Sequence, residues 1–301
     1  MDRTATDDVG PPSAAGQTRL AFQQVDVFTA VPFKGNPVAV VLDGDGISDD
    51  RMQSIATWTN LSETTFVCAP TVPQADYRLR IFAPKRELIF AGHPTIGSAF
   101  ALLRKGLTPR TPGRLVQECS KGLVNIKIGE DGRLFFALPE PQFREPAPTH
   151  LAALADGLGI MTTDIQRAAI IDVGPAWFTA QLAGGETVRS LAPDMGKLAA
   201  LDAVGVTGVT VFGLYPSFGA ANLEVRSFAP SDGIPEDPVC GSGNGCVAAL
   251  IRRDGILNVR AYLASQGRCV GRDGQIAVRF DEGAIWIGGR AVTCIEGFLS
   301  A

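Results

Sequence analysis

The chain carries an internal repeat, and this feature constrains its fold more than any other. The segment Arg80-Ile-Phe-Ala-Pro84 recurs at a shift of 146 residues as Arg226-Ser-Phe-Ala-Pro230. Shortly afterwards the shift becomes 144, and His93-Pro-Thr-Ile-Gly97 then overlies Asp237-Pro-Val-Cys-Gly241. Several matches in order at nearly one spacing exceed what chance readily supplies. The sequence therefore predicts two structurally similar halves.

Each half shows the same order of elements, with apolar strands preceding and following one helix. The helix of each half follows a Gly-rich turn and begins near Thr95 or Ser242, and a further helical stretch opens at Asp49 or Asp194. Strands are predicted at 22–28, 38–42, 64–68, 77–82, 123–128 and 134–138, and again at 168–173, 178–182, 209–214, 223–228, 276–280 and 285–287. This pattern predicts an α+β fold in which a highly curved sheet wraps around a central helix in each half.

The domain boundaries follow from composition. Residues 1–19 are polar and predict a disordered tail. Residues 20–142 form the predicted N-terminal half and residues 143–301 the C-terminal half, separated near a proline-rich stretch at 139–148. The terminal strand could be exchanged into the first half.

Charge and cysteine content exclude several classes of function. A net charge of −4 and the absence of a basic stripe argue against nucleic-acid binding. The chain shows no signal peptide and no apolar run long enough to span a bilayer, so we expect a cytoplasmic protein without membrane contact. Six scattered cysteines without a C-x-x-C pair, and only two histidines, predict neither a disulfide framework nor a metal site.

Two glycine-rich helix starts predict an anion site. Free N–H groups and the helix dipole favour a carboxylate there, and glycine lets a ligand approach the backbone closely. A small carboxylate substrate held between the two halves is the simple interpretation, and tight strand-to-helix turns without a ligand are the alternative. The predicted substrate-binding residues are Gly92, Thr95, Ile96, Gly97 and Ser98 in the first half, and Gly241 and Gly243 in the second.

Glu63 breaks the symmetry of the repeat. It precedes an apolar strand, and at the 146-residue shift its partner is Val209. A carboxylate beside apolar surface has a raised pKa, which suits a general acid or base near neutral pH. A solvated structural charge is the alternative. Asp237 is unmatched in the same way, because His93 occupies its place at the 144-residue shift.

Together these residues resemble the PhzF family, the phenazine-biosynthesis-type isomerases that share the diaminopimelate epimerase fold. The resemblance runs from about residue 20 to the C-terminus. It rests on 25–28, Gly35-Asn-Pro-Val-Ala-Val40, 60–66, 80–84, 92–97, Gly233-Ile-Pro-Glu-Asp-Pro238, 241–243, Ser265-Gln-Gly-Arg268 and Gly288-Gly289. It implies two pseudo-symmetric domains without metal, flavin or pyridoxal phosphate, commonly dimeric.

The resemblance also implies residue roles. Glu63 matches the acid that moves a proton between two carbons of a conjugated acid, while His93, Asp237 and Ser242 match residues that line the substrate and relay or position protons. One departure is Cys240, where the phenazine enzyme's pattern has a hydroxyl residue. In related two-cysteine epimerases a catalytic thiol stands at this turn, but Ile96 fills the matching position in the first half. Cys240 is therefore either an inert small residue or a second acid/base opposite Glu63.

Three functions follow as alternatives. The first is a cofactor-independent isomerase that shifts a proton and double bond within a small unsaturated carboxylic acid, as in secondary-metabolite or antibiotic biosynthesis, acting as a homodimer. The second is an epimerase or racemase that uses Glu63 and Cys240. The third is a non-catalytic binding protein of the same fold.

Overall fold

A computed structural model describes residues 19–216, 219–281 and 283–300 of the chain. The predicted disordered tail lies outside these residues except for Arg19, which already belongs to the first strand. The helices and strands of the first half are β1 (Arg19–Val27), β2 (Asn36–Val41), α1 (Asp49–Thr59), β3 (Thr64–Cys68), β4 (Tyr77–Ala83), β5 (Arg86–Leu88), α2 (Gly92–Arg104), β6 (Arg114–Cys119), β7 (Gly122–Ile128), β8 (Leu134–Ala137) and β9 (Gln142–Arg144).

The rest of the chain follows a similar order with additional helices on its outer side. Its elements are α3 (Pro148–Leu158), β10 (Arg167–Asp172), β11 (Ala176–Gln181), α4 (Gly185–Ser190), α5 (Met195–Ala199), β12 (Gly208–Leu214), β13 (Leu223–Ala229), β14 (Ile234–Asp237), α6 (Gly241–Asp254), β15 (Ala261–Gln266), β16 (Gly274–Asp281), β17 (Ala284–Gly289) and β18 (Ala291–Ser300). No helix among the described residues has the length and apolar character needed to cross a membrane.

The strand pairings repeat from one half to the other. In the first half the order is β1–β2–β3–β4–β6–β7–β8, with β2–β3 and β4–β6 parallel. In the second half it is β10–β11–β12–β13–β15–β16–β17, with β11–β12 and β13–β15 parallel. Antiparallel pairing of β8 with β17 joins the two sets, and β18 returns to pair with β1. The architecture confirms the predicted sheet-rich α+β class.

Helices α2 and α6 each pack against the strands of their own half. Helix α2 contacts β1, β2, β3, β4 and β8, and α6 contacts β10, β11, β12, β16 and β17. Both helices bury nearly every residue of their first turns, which explains why their sequences are apolar or small on all sides rather than on one stripe. Their buried residues belong to one apolar core that continues from one half into the other.

The strand register corrects the repeat partner of Glu63. Thr64 pairs with Phe82, and Val209 pairs with Phe228 in the equivalent hairpin. The residue that precedes Val209, Gly208, is therefore the structural counterpart of Glu63, and the prediction of Val209 was wrong by one position. The connection between the paired strands is one residue longer in the second half. The second half still lacks an acid at this place.

The helix starts correct the second part of the repeat. Thr95 Oγ1 donates to the Ala91 carbonyl and accepts from Gln117 Nε2, at 2.9 and 3.1 Å. In α6 the amide of Asn244 likewise donates to the Cys240 carbonyl, and it also donates to Gln266 Oε1. Ala91 is therefore the counterpart of Cys240, and the prediction of Ile96 was wrong.

The same comparison changes the partners of His93 and Asp237. His93 is the second residue of α2 and Ser242 the second of α6. Asp237 pairs with Ser227, as Leu88 pairs with Ile81 in the first half. Asp237 is thus the counterpart of Leu88 and not of His93. The physical reason is that the connection before α6 is longer than the connection before α2. The spacing between equivalent residues of the two halves is therefore 149 residues at these helices, and not 144.

Candidate active site

A cavity of about 390 Å³ lies where the two halves meet. Its polar inner wall combines residues from both halves: Glu63, His93, Asp237, Cys240, Gly241 and Ser242. Apolar walls that include Phe90, Phe136 and Trp177 surround this polar end. The five predicted catalytic residues therefore come together around one space that a small organic molecule can enter.

The N-termini of α2 and α6 meet at this cavity. A Cβ placed on Gly241 would lie 3.5 Å from the backbone nitrogen of His93 and 3.7 Å from Gly92 Cα. A Cβ on Gly92 would lie 2.7 Å from the ring of Phe136, so only glycine fits there without displacement. Because both helix dipoles point their positive ends at the same place, an anionic group is favoured between them.

Glu63 directly precedes β3 and reaches the cavity with its carboxylate. Glu63 Oε2 lies 3.2 Å from His93 Nε2, and the two side chains are only 15% and 6% exposed. Neither atom makes an aligned hydrogen bond to a described residue. Burial raises the pKa of Glu63 to about 7, and the neighbouring hydroxyl of Ser62, which makes no aligned hydrogen bond, acts in the opposite direction. The carboxyl group therefore binds a proton more tightly than an exposed glutamate does.

His93 and Asp237 have pKa values shifted in opposite directions by burial. Burial lowers the pKa of His93 to about 4, with the charge of Asp237 partly opposing this effect. Burial raises the pKa of Asp237 to about 6; the positive form of His93 lowers it and the charge of Glu63 raises it. His93 is consequently neutral at pH 7, and two carboxyl groups with elevated proton affinity share the cavity.

Asp237 is held by contacts from both halves. Its Oδ1 accepts from Asn36 Nδ2 at 2.9 Å and from the backbone nitrogen of Val239 at 3.0 Å. Gln266 donates to the carbonyl of Asp237 and accepts from the backbone nitrogen of Cys240. These bonds fix the segment that carries Asp237 and Cys240.

Ser242 and Cys240 lie side by side at the start of α6. Trp177 Nε1 donates to Ser242 Oγ at 3.0 Å, so the hydroxyl hydrogen of Ser242 is available for another acceptor. The Cys240 sulfur accepts from the Gly243 backbone nitrogen at 3.2 Å and lies 3.6 Å from Ser242 Oγ. Burial raises the pKa of the Cys240 thiol well above its usual range, so the group is a protonated thiol at neutral pH.

Five of the residues predicted to bind substrate do not line the cavity. Thr95 bonds to Gln117 and the Ala91 carbonyl, and Ser98 Oγ lies 2.9 Å from Thr65 Oγ1. Ile96 belongs to the apolar core, and Gly97 packs against Val27 and Val38. Gly243 packs against the hydroxyls of Thr210 and Ser227. Of the residues predicted to bind substrate, Gly92 and Gly241 do line the cavity.

Sequence reasoning gave no role to several residues that the structure brings to the site. Asn36 lies in the segment that carries the resemblance, but its contacts depend on the opposite half. Arg86 and Asp232 lie at the exposed rim, each two positions after a repeated Phe-Ala-Pro segment, which could have drawn attention to them. Trp177 had no sequence signal at all. Among the described residues no group of three histidine, cysteine, aspartate or glutamate side chains is arranged to hold a metal ion.

Comparisons with known proteins agree with this architecture. The profile of the phenazine biosynthesis-like protein family, PhzC-PhzF, matches residues 25–297. Antisense-enhancing sequence 1 of Schizosaccharomyces pombe is 40% identical over 93% of this chain and 98% of its own. The uncharacterized isomerase YfhB of Bacillus subtilis is 32% identical over 85% of this chain and 89% of its own.

Solved structures share the fold over nearly the whole chain. The PhzF-family phenazine biosynthesis protein of Bacillus anthracis superposes with a TM-score of 0.83 at 26% identity, covering 94% of this chain and 100% of that one. A probable proline racemase from Agrobacterium radiobacter, at 14% identity and a TM-score of 0.63, covers 94% of this chain and 92% of that one, and shares the fold alone. The chain therefore belongs to the phenazine biosynthesis-like family and is an enzyme of its isomerase type.

Proposed function

We propose that the protein shifts a proton and a double bond within a small unsaturated carboxylic acid, with Glu63 as the acid and base. One observation carries this proposal: Glu63 Oε2 and His93 Nε2 lie 3.2 Å apart in a buried cavity wall without an aligned hydrogen bond to a described residue. Buried polar atoms are normally satisfied, and exceptions occur where a ligand completes the site. Both residues also line the cavity, which supports a catalytic role for the pair.

The binding mode follows from the two helix starts. A substrate carboxylate between Gly92 and Gly241 would accept hydrogen bonds from backbone N–H groups of α2 and α6. Ser242 would donate its hydroxyl hydrogen to the same group, because Trp177 already donates to its oxygen. The apolar walls exclude water and strengthen these interactions.

The proton shift then needs one group to act twice. The ionised form of Glu63 removes a proton from a carbon adjacent to the double bond, and the C–H electron pair enters the conjugated system. The negative charge spreads to the carboxylate, where the helix N-termini stabilise it. The protonated Glu63 returns the proton to a second carbon, so that the double bond moves and no atom is gained or lost. A pKa of about 7 populates both forms of Glu63 near neutral pH.

An epimerase that uses Glu63 and Cys240 is the second candidate, because Cys240 lines the same cavity. Its buried thiol is protonated, so it would serve as the proton donor on the face opposite Glu63. A two-thiol racemase is not available, because the counterpart of Cys240 is Ala91. In this alternative one α-hydrogen exchanges with inversion, whereas the proton shift moves hydrogen between two carbons.

Proton NMR in D2O separates these reactions. Candidate β,γ-unsaturated carboxylic acids and amino acids are incubated with the wild-type protein, and the carbons that gain deuterium are identified. We expect one carbon to lose hydrogen and another to gain it, with deuterium at the second carbon only where the proton on Glu63 exchanges with solvent before its return. Glu63→Gln should lose this activity. The control is Glu130→Gln, which changes an exposed carboxylate in the turn between β7 and β8. A fully active, folded Glu63→Gln protein would remove Glu63 from the mechanism.

The role of Cys240 is tested in the same assay. If the protein catalyses the proton shift, Cys240→Ser should leave turnover nearly unchanged. If it is an epimerase that uses Cys240, the same substitution should greatly reduce turnover. A role in secondary-metabolite biosynthesis, a homodimeric state and a cytoplasmic location are further parts of this proposal, supported by the family resemblance alone.

A further inference from the structure

Trp177 departs from the repeat at the wall of the cavity. Val25 of β1 pairs with Val38 of β2, and Ile171, the counterpart of Val25 at the 146-residue shift, pairs with Trp177. Trp177 is therefore the counterpart of Val38. Both side chains are buried, but the indole is much larger and lines the cavity, whereas Val38 belongs to the apolar core.

The indole fills the space beside Gly208, which is the counterpart of Glu63. A Cβ placed on Gly208 would lie 2.9 Å from Trp177 Cζ3 and 2.1 Å from the carbonyl oxygen of Phe228. A side chain at this position would therefore require the indole or β13 to move. The first half combines a small Val38 with an acid, and the second half combines a large Trp177 with a glycine.

The polar ends of Glu63 and Trp177 make equivalent contacts. Glu63 Oε2 lies 3.2 Å from Nε2 of His93, the second residue of α2. Trp177 Nε1 donates at 3.0 Å to Oγ of Ser242, the second residue of α6. All four residues line the cavity. The place that holds an acid in the first half therefore holds a fixed N–H donor in the second.

This donor restricts the hydrogen bonds that the Ser242 hydroxyl can make. An indole nitrogen is a donor only, so Ser242 Oγ accepts from Trp177 and its own hydrogen must be donated elsewhere. Among the described residues, the other hydrogen-bonding neighbour of this oxygen is Cys240 Sγ at 3.6 Å, and sulfur is a weak acceptor. A ligand oxygen that carries negative charge would be a stronger acceptor for the same hydrogen.

We propose that Trp177 is a positioning residue: its N–H holds Ser242 Oγ so that the hydroxyl hydrogen is donated to the carboxylate of a molecule in the cavity. The carboxylate at this place rests on the proposed function. The fold alone does not require the indole N–H, because the first half builds the equivalent strand pair with Val38, which carries no side-chain donor.

The indole N–H of Trp177 reports on this contact in 1H–15N NMR spectra. The chain contains three tryptophans, and Trp58→Phe and Trp286→Phe identify the signals of the other two. Benzoate, a planar carboxylate with an apolar body, is the probe, and benzamide is its uncharged equivalent. We expect benzoate to shift the Trp177 signal to saturation and benzamide to bind at least about tenfold more weakly. No shift up to the solubility limit of benzoate, or equal affinity for the two compounds, would overturn the proposal.

A double-mutant cycle tests whether Trp177 acts through Ser242. Trp177→Phe keeps an aromatic wall without the N–H, and Ser242→Ala removes the hydroxyl. We expect Ser242→Ala to weaken benzoate binding about tenfold and Trp177→Phe to weaken it by a smaller factor. In the Ser242→Ala protein, Trp177→Phe should have no further effect, as isothermal titration calorimetry can measure. Additive effects of the two substitutions would contradict a role through Ser242.

Trp286→Phe is the matched control for the loss of an indole. Trp286 is also buried, but it is not among the residues that line the cavity, and its Nε1 makes no hydrogen bond to a described residue. Its substitution should leave the affinity for benzoate unchanged. If Trp177→Phe does not fold, Ser242→Ala decides the question through the Trp177 signal, because an undiminished response to benzoate in that protein would overturn the proposal.

A failure of the proposed function is distinguishable from a failure of this inference. Inactivity on every unsaturated acid, combined with the expected benzoate response and non-additive cycle, would leave the positioning role of Trp177 intact. Turnover of an unsaturated acid without any response of the Trp177 signal to benzoate would keep the proton shift and remove Trp177 from its explanation.

Discussion

At the scale of single residues, the buried carboxyl group of Glu63 makes the free energy of unfolding depend on pH. Its pKa is about 7 in the folded protein and 4.5 in the reference state, so the folded state binds more protons between these values. Stability from this group is therefore present at low pH and decreases as the pH rises from about 4.5 to 7. Relative to Glu63→Gln, the wild-type protein should lose on the order of 3 kcal/mol across this range.

Urea unfolding at several pH values measures this difference, and His93→Gln supplies a control of opposite sign. The folded pKa of His93 is about 4 against 6.5, so the unfolded state binds more protons between these values. Wild-type stability relative to His93→Gln should rise over that range. A wild-type curve parallel to that of Glu63→Gln would show that the carboxyl group is not desolvated in the folded protein.

At this scale the sequence alone predicted the five residues that meet at the cavity, but not the side chains that hold them in place. Glu63 was predicted because it is an acid that breaks the repeat, and the family resemblance gave roles to His93 and Asp237. Asn36 and Trp177 act through long-range contacts, to Asp237 and Ser242, that no local pattern encodes. Their roles required the positions of both halves.

At the scale of elements, the repeated arginines hold the hairpins beside the cavity. Arg226 makes two bonds to Glu236 on β14 and two to the carbonyls of Val188 and Leu191. The ion pair is 7% and 8% exposed. In the first half Arg80 pairs with Glu87 on β5, with exposures of 19% and 33%. The two halves thus contain the same ion pair at different depths.

This difference predicts unequal costs of removing the carboxylates. Glu236→Gln leaves the buried Arg226 charge uncompensated and should destabilise the protein by about 3–5 kcal/mol. Glu87→Gln at the equivalent, more exposed pair should cost about 1 kcal/mol or less. The midpoints of urea unfolding at pH 7 give both values. Equal costs would mean that burial does not decide the strength of this contact.

The register of the repeat shows why sequence matching was incomplete at this scale. Short matches such as His-Pro and Asp-Pro aligned His93 with Asp237, yet strand pairing aligns Asp237 with Leu88. Loops change length between the halves without changing the sheet, so a constant shift cannot follow the structure. The strands that were predicted are present because apolar periodicity is a local signal, whereas no strand was predicted at β5, β6, β9, β14, β15 or β18. Of these, β5 and β14 are short and partly exposed and left little signal.

At the scale of the whole molecule, the two halves share a core and cannot unfold independently at low cost. The apolar cluster includes Ile96 of α2 and Leu250 of α6. Antiparallel pairing joins β8 to β17, and β18 completes the sheet of the first half. Separation of the halves would expose this core, break these strand pairs and leave the active-site amide of Asn36 without its acceptors.

Native-state hydrogen exchange tests this cooperativity. The most protected amides of β3 in the first half and β12 in the second should exchange only through global unfolding, with the same free energy. Gly288→Ala should lower both values together, because a Cβ there would lie 2.1 Å from the Leu134 carbonyl and force β8 away from β17. Gly297→Ala is a control on β18, where the added Cβ would meet no atom within 4 Å. A lower free energy confined to one half would show that this half opens alone, and the active site would then assemble only while both halves are closed.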